Sequence, residues 1–209
     1  MARKTKEEAL ETRSRILDAA EVVFQRNGVS RTTLANIAAE AHVTRGAIYW
    51  HFENKADLYD AMIQRIVEPL ERKLDELQRH QDHDPLLFVR SLALFLLDSL
   101  ANDPRYYRVL EIAWHKCEYV GDMARIRDQH LECGNRFLGI KEAAIRRALE
   151  RGALPSHIDP RQAAVGLMAI LDGLIANWTL DRQRFPLASM AAGIIDTYLA
   201  GLAAQTITK

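Results

Sequence analysis

Between Thr33 and Phe52 the chain reads TLANIAAEAHVTRGAIYWHF, and few folds can accommodate that stretch. Leu34, Ile37 and Ala38 recur at the spacing that lines one face of a helix, with Thr33 before them as a good N-cap. This predicts a helix ending near Ala41. Thr44 supplies a second N-cap, and Ile48 and Phe52, one helical turn apart, form the inward face of a second helix. The break between the helices is about three residues long. Helices this short cannot stand alone in water, so both must pack on a neighbour, and the tight turn makes them cross steeply. The expected unit is a helix-turn-helix.

With Ile48 and Phe52 inward, the opposite face of the second helix offers Arg45, Gly46, Tyr49 and Trp50. Arginine can grip a guanine edge or a phosphate, and the two aromatics offer apolar contact to thymine methyls with one polar tip each. Gly46, in the first turn, lets a phosphate or base edge approach the backbone closely. Duplex DNA fits this face. An aromatic packing cluster would also explain Tyr49, Trp50 and His51, but a glycine inside a helix would then cost stability with no compensating gain.

The chain has 209 residues, enough for a DNA-reading module and a larger domain with its own core. Formal net charge is zero, so binding to nucleic acid has to come from local geometry. Arg3, Lys4 and Lys6 form a small basic arm that either neutralises phosphates or is a solvated terminus. Glu7 to Asn27 reads as an amphipathic helix with Ile16, Ala20, Val23 and Phe24 inward, stopped by Asn27-Gly28. Asn54 with Asp57 three residues on starts a long helix, in whose first turn Lys55 and the positive helix end together suit a phosphate. The stripe Leu58, Met62, Ile66, Leu70, Leu74 and Leu77 continues past Pro69, which predicts a kinked but continuous helix. That bend is either innocent or a lever on the reading head.

Asp84-Pro85, Asp103-Pro104 and Asp159-Pro160 each set a capping carboxylate before a proline suited to the first helical position. Gly121-Asp122 opens a further helix running to Arg151-Gly152, and Leu187 to about Ala203 forms the last. No run alternates like a strand, so the fold class is all-α with about nine helices. The longest apolar run, Leu86 to Leu100, is broken by Arg90 and Asp98 and reads as too short to span a bilayer. No signal peptide opens the chain, and two cysteines, Cys117 and Cys133, fit a reduced cytoplasm.

Phe88, Leu92, Phe95, Leu96, Leu110, Trp114, Phe137, Met168, Leu171 and Ile175 are an apolar surplus that either fills a core or outlines a cavity. Asp172, one turn after Met168, would orient a ligand there or pair with a core arginine such as Arg90. Small residues at Ala163, Ala164, Gly166, Ala169, Gly173 and Ala176, and at Ala191, Ala192 and Gly193, allow close helix approach. With Ile170, Ile194, Tyr198 and Leu202 they suit a contact between two subunits or internal packing. His115, Cys117, Glu118, His130 and Cys133 include metal-ligand types, but their spacing matches no closed tetrahedral site. A redox-responsive role for Cys117 and Cys133 stays open as the alternative. No phosphate-cradling glycine loop, nucleophile elbow or His-Glu-x-x-His run is present, so neither an enzyme nor a cofactor or metal site is expected.

The segments ARKTKEEALETR, VTRGAIYWHFENKADL, EIAWHKCEYVGDM and DGLIANW, spread over nearly the whole chain, resemble the TetR family of transcriptional repressors. The likeness is to the branch that controls multidrug efflux pumps, the AcrR and TtgR type. It implies a helix-turn-helix domain over 1–54 and a helical ligand-binding and dimerisation domain over 55–209. It also implies a homodimer on double-stranded palindromic operator DNA, in the cytoplasm and with no membrane partner. The implied effector is a hydrophobic small molecule such as an antibiotic, dye or phenolic. Residues matching Lys55 and His51 grip the DNA backbone in that family. Candidate DNA-binding residues are Thr33, Thr44, Arg45, Gly46, Tyr49, Trp50, His51 and Lys55. Candidate ligand-binding residues are Ile66, Leu92, Phe95, Leu110, Trp114, Phe137, Met168, Leu171, Asp172 and Ile175. The chain departs from the family pattern at His42, where glycine is usual, and at Leu110 and Trp114, where close relatives carry polar side chains.

Overall fold

The computed structural model describes residues 6–79 and 84–205, apart from the side chain of Asp122, and Arg3 and Lys4 lie outside the described residues. Nine α-helices and no strand occur among the described residues: α1 (Lys6–Asn27), α2 (Leu34–Glu40), α3 (Arg45–His51), α4 (Lys55–Arg79), α5 (Pro85–Asn102), α6 (Pro104–Glu111), α7 (Ala124–Glu150), α8 (Pro160–Leu180) and α9 (Leu187–Ala204). One turn of π-helix, Ile112–Lys116, follows α6, and a 3-10 turn, Gly121–Met123, precedes α7.

The helix starts follow from local chemistry. Asp84, Asp103 and Asp159 each accept a hydrogen bond from a backbone N–H just inside the helix that follows, at 2.8, 2.7 and 2.6 Å. Proline has no N–H to leave unpaired at that position, so each Asp-Pro pair is a complete start signal. Gly28 (φ +79°) and Gly152 (φ +70°) end α1 and α7 in the left-handed region that glycine enters without strain. α4 passes through Pro69 without interruption.

The chain forms two compact units, residues 1–67 with 108–128, and residues 68–107 with 129–209. In the first, α1 buries Ile16, Ala20, Val23 and Phe24 and packs on α2 and on the π-helical turn. Glu21, only 1 % exposed, accepts from Arg65 Nη1 at 2.6 Å and from Arg108 Nε at 3.4 Å, so α1, α4 and α6 share one buried carboxylate. The π-helical turn closes on α1 by backbone as well: Val29 N donates to Lys116 O at 2.8 Å. Gln25 Nε2 donates to Glu111 Oε2 at 2.6 Å alongside it.

In the second unit α5 packs chiefly on α9, and α8 packs on both. Arg90 ties α5 to α9 through Asp196, with Nε–Oδ1 at 2.5 Å and Nη2–Oδ2 at 2.9 Å. A Cβ on Gly166 would collide with the Tyr198 hydroxyl, which itself donates to Ala163 O at 2.8 Å. Part of the small-residue pattern therefore seats α9 on α8 within the chain. By length and composition alone α5, α8 and α9 could each cross a membrane. This corrects the expectation drawn from the interrupted run Leu86–Leu100, because α5 extends from Pro85 to Asn102. Their apolar faces meet one another in the core, where Leu97, Leu100, Leu167 and Ile195 are fully buried.

Candidate functional site

Two N-caps, the first of them reciprocal, set the geometry of the helix-turn-helix. Thr33 Oγ1 accepts from Asn36 N at 3.2 Å, while Asn36 Oδ1 accepts from Thr33 N at 2.9 Å. Thr44 Oγ1 accepts from Ala47 N at 3.1 Å and opens α3. In the turn between them His42 adopts φ +52°, a conformation that glycine reaches more cheaply. The chain reverses there, and Val43 N returns to Ala38 O at 3.0 Å.

Ile48 is fully buried and Phe52 is 2 % exposed, with the Arg13 guanidinium 5.1 Å from the Phe52 ring centre. The other face of α3 is open. Arg45 and Gly46 are exposed, Tyr49 is 54 % exposed and Trp50 is 71 % exposed. Large aromatics are seldom left in water without a partner to meet. Trp50 stands edge-on to the half-buried His51, ring centres 4.5 Å apart. A Cβ on Gly46 would meet nothing nearer than Thr44 Oγ1 at 3.9 Å, so internal packing does not demand glycine there.

Lys55 has a role that sequence reasoning misses. Its Nζ donates to Val29 O at 2.8 Å, Thr32 O at 3.1 Å and Ser30 O at 3.3 Å, so α4 clamps the loop between α1 and α2. Asn54 Oδ1 caps α4 through Asp57 N at 2.9 Å, and Asp57 in turn accepts from Glu53 N. Nothing in the sequence pairs a lysine with carbonyls about 25 residues upstream.

The candidate ligand-binding residues divide between the units. Ile66, Leu110 and Trp114 belong to the first; Leu92, Phe95, Phe137, Met168, Leu171, Asp172 and Ile175 belong to the second. Trp114, 39 % exposed, lines a polar hollow of about 360 Å³ with Arg26, Arg31, Lys116 and Cys117. In the second unit Leu92, Phe137, Leu171 and Ile175 are buried, whereas Phe95, Met168 and Asp172 are half-buried. Asp172 does not meet Arg90, which is committed to Asp196. It faces Lys141 and His130 of α7 instead. Burial raises its carboxyl pKa above the usual aspartate value, and those two groups oppose the rise. Lys141 leaves no signal in the sequence, whereas His130 stands out there only as a metal-ligand type.

Cys117 and Cys133 fall in different units. Burial raises the Cys117 pKa, against the lowering effects of the Tyr59 hydrogen bond and of Lys55. A thiol kept protonated is a poor nucleophile. Tyr59, fully buried, has its hydroxyl 3.4 Å from that of Tyr119 and is also shifted well upward, chiefly by burial. No group of three potential metal ligands occurs among the described residues.

Comparison with known proteins adds what geometry alone does not. Residues 16–62 match bacterial regulatory proteins of the tetR family, and residues 84–204 match the C-terminal region of MAATS-type transcriptional repressors. The chain is 45% identical over 184 residues to the HTH-type transcriptional regulator TtgR of Pseudomonas putida, covering 86% of each. Its fold is similar to that of NalD, the secondary repressor of the MexAB-OprM multidrug efflux pump in Pseudomonas aeruginosa. The TM-score is 0.86 at 32% identity, over 96% of this chain and 100% of that one. It is also similar to SmeT, the repressor of the Stenotrophomonas maltophilia efflux pump SmeDEF, in a complex with triclosan. There the TM-score is 0.79 at 29% identity, over 95% of this chain and 100% of that one.

Proposed function

Because the chain belongs to the TetR family of transcriptional regulators, we propose that it is a ligand-responsive repressor of a multidrug efflux operon. It binds a palindromic operator as a homodimer and is released by a hydrophobic small molecule. The family regulates transcription and does not catalyse reactions.

The observation that carries the DNA half is the face of α3. Ile48 and Phe52 anchor the helix from within, and Arg45, Gly46, Tyr49 and Trp50 stand exposed on the outer face. In this reading Arg45, Tyr49 and Trp50 meet base edges, and His51 and the caps at Thr33 and Thr44 set the register against the phosphates. Lys55 contributes by position: its three N–H donors are engaged by three carbonyls, so it holds the loop that places α2. Residues 1–54 form the reading head and residues 55–209 the ligand-binding and dimerisation domain.

The ligand half is supported by the triclosan complex of SmeT and by the half-buried apolar side chains around Asp172. Val165, Leu180 and Met190, exposed on α8 and α9, suit a twofold contact between copies. An effector releases the operator only if it binds the DNA-free conformer more tightly than the bound one. The test is a gel-shift titration on the protein's own upstream DNA at stated salt, with and without hydrophobic antibiotics, dyes and phenolics. Specific binding relieved by some of these compounds is expected. Binding relieved by oxidant alone would favour the cysteines instead, and an absence of specific binding would remove the proposal.

A further inference from the structure

Five polar or charged residues are buried among the described residues, and four of them are closely partnered. Thr12, Thr32 and Thr179 donate to the carbonyls of Glu8, Gly28 and Ile175 at 2.8, 2.7 and 2.6 Å. Glu21 accepts from Arg65 at 2.6 Å. The fifth, Lys141, is different. It is 9 % exposed, and its Nζ reaches only Phe137 O, on its own helix, at 3.4 Å. An ammonium carries three donors, and burying it without a counter-charge is expensive.

The neighbours of Lys141 do not close the gap. Glu142, next in the chain, is engaged by Arg146 at 3.0 Å and Arg161 at 3.2 Å. Asp172 of α8 acts on Lys141 electrostatically, yet the two form no ion pair among the described residues. Burial pushes the Lys141 pKa down and the Asp172 pKa up, each shift opposed by the charge of the other, and Cys133 also favours the charged form of Lys141. His130, on the same face of α7, has its pKa pushed down by burial, against the opposing charge of Asp172. The Phe137 ring lies 5.9 Å from the ammonium, and half-buried Met168 lies one turn before Asp172. Lys141 is thus an under-satisfied cation beside an aromatic ring.

We propose that Lys141 anchors the effector, and that the effector is an amphiphile with an acidic oxygen, a carboxylate or phenolate, which takes the ammonium while its apolar body lies along Phe137 and Met168. The inference rests on the ligand-responsive reading and narrows it to a chemical class. An uncharged compound would leave the ammonium unsatisfied, and a cation would be repelled by it.

The test uses the full-length protein and three probes with one tail: decanoate, decanol and decylammonium. Binding is followed by calorimetry below the micellar range, and operator release by gel shift. Decanoate should bind about tenfold or more tightly than the other two. Lys141→Met should remove that margin by lowering decanoate affinity toward that of decanol, and Lys141→Arg should keep most of it. If decanoate and decanol bind the unmodified protein equally, or decylammonium binds best, the inference is overturned with no variant needed. Equal binding of decanoate to a folded Lys141→Met protein overturns it too. If decanol and neutral drugs release the operator and decanoate does not, only this inference falls. If no compound of any charge binds, the ligand-responsive reading falls with it.

Discussion

Glu21 in the first unit and Lys141 in the second are both almost wholly buried charges, and the fold treats them in opposite ways. Glu21 sits between Arg65 and Arg108, with a third charge close by in Asp18, whose Oδ1 lies 2.6 Å from Arg65 Nη2. Lys141 has a single long bond to its own helix. A closed buried network fixes the packing of the helices that share it. An open one leaves donors of a buried charge without partners, at a cost in stability. The same division marks the first unit's surface, where Lys55 is consumed by three carbonyls and the outward face of α3 is left unused.

The largest effect that can sharpen this contrast comes from breaking the closed network. Arg65→Ala should cost about 3–5 kcal/mol, because it strands Glu21 without its nearer counter-charge. Chemical denaturation measures this, and a loss below about 1 kcal/mol would mean that Arg108 or water suffices. Lys141→Met should do the reverse, leaving stability unchanged or raising it by about 1 kcal/mol, since an under-satisfied ammonium is replaced by an apolar chain. If it destabilises as much as Arg65→Ala, Lys141 is structural and the contrast breaks.

Gly46→Ala extends the comparison to α3. The position has room for a methyl group, so the helix should gain roughly 0.5–1 kcal/mol while operator affinity falls. Unchanged affinity in a gel shift would show that no DNA atom approaches Gly46 closely.

The smallest effect is in the pH dependence of stability. Asp196 is held below its ordinary pKa by Arg90, so its contribution is present above the unfolded aspartate pKa and fades as pH falls through the lower folded value. Asp172 is held above its ordinary pKa by burial, so in the window just above the unfolded value stability falls as pH rises. Asp196→Asn should therefore flatten the acid limb of a stability profile. Asp172→Asn should remove the opposite slope, and identical profiles for both variants would contradict the assignment.

What could be read from the sequence was whatever is settled within a turn or two of the backbone. The three Asp-Pro starts, the caps at Thr33, Thr44 and Asn54, the stops at Gly28 and Gly152, and the inward faces of α1 and α3 all depend on atoms a few residues apart. Periodicity and capping record such atoms directly, so the helices and the exposed face of α3 were determined by the sequence alone. Partnerships between distant segments were decided only in three dimensions. The clamp of Lys55 on the loop after α1, the burial of Glu21 against an arginine 44 residues away, and the choice of Asp196 over Asp172 as the partner of Arg90 leave no periodic trace. Which charge meets which is set by how the helices pack, and sequence spacing carries no information about a neighbour brought in from elsewhere along the chain.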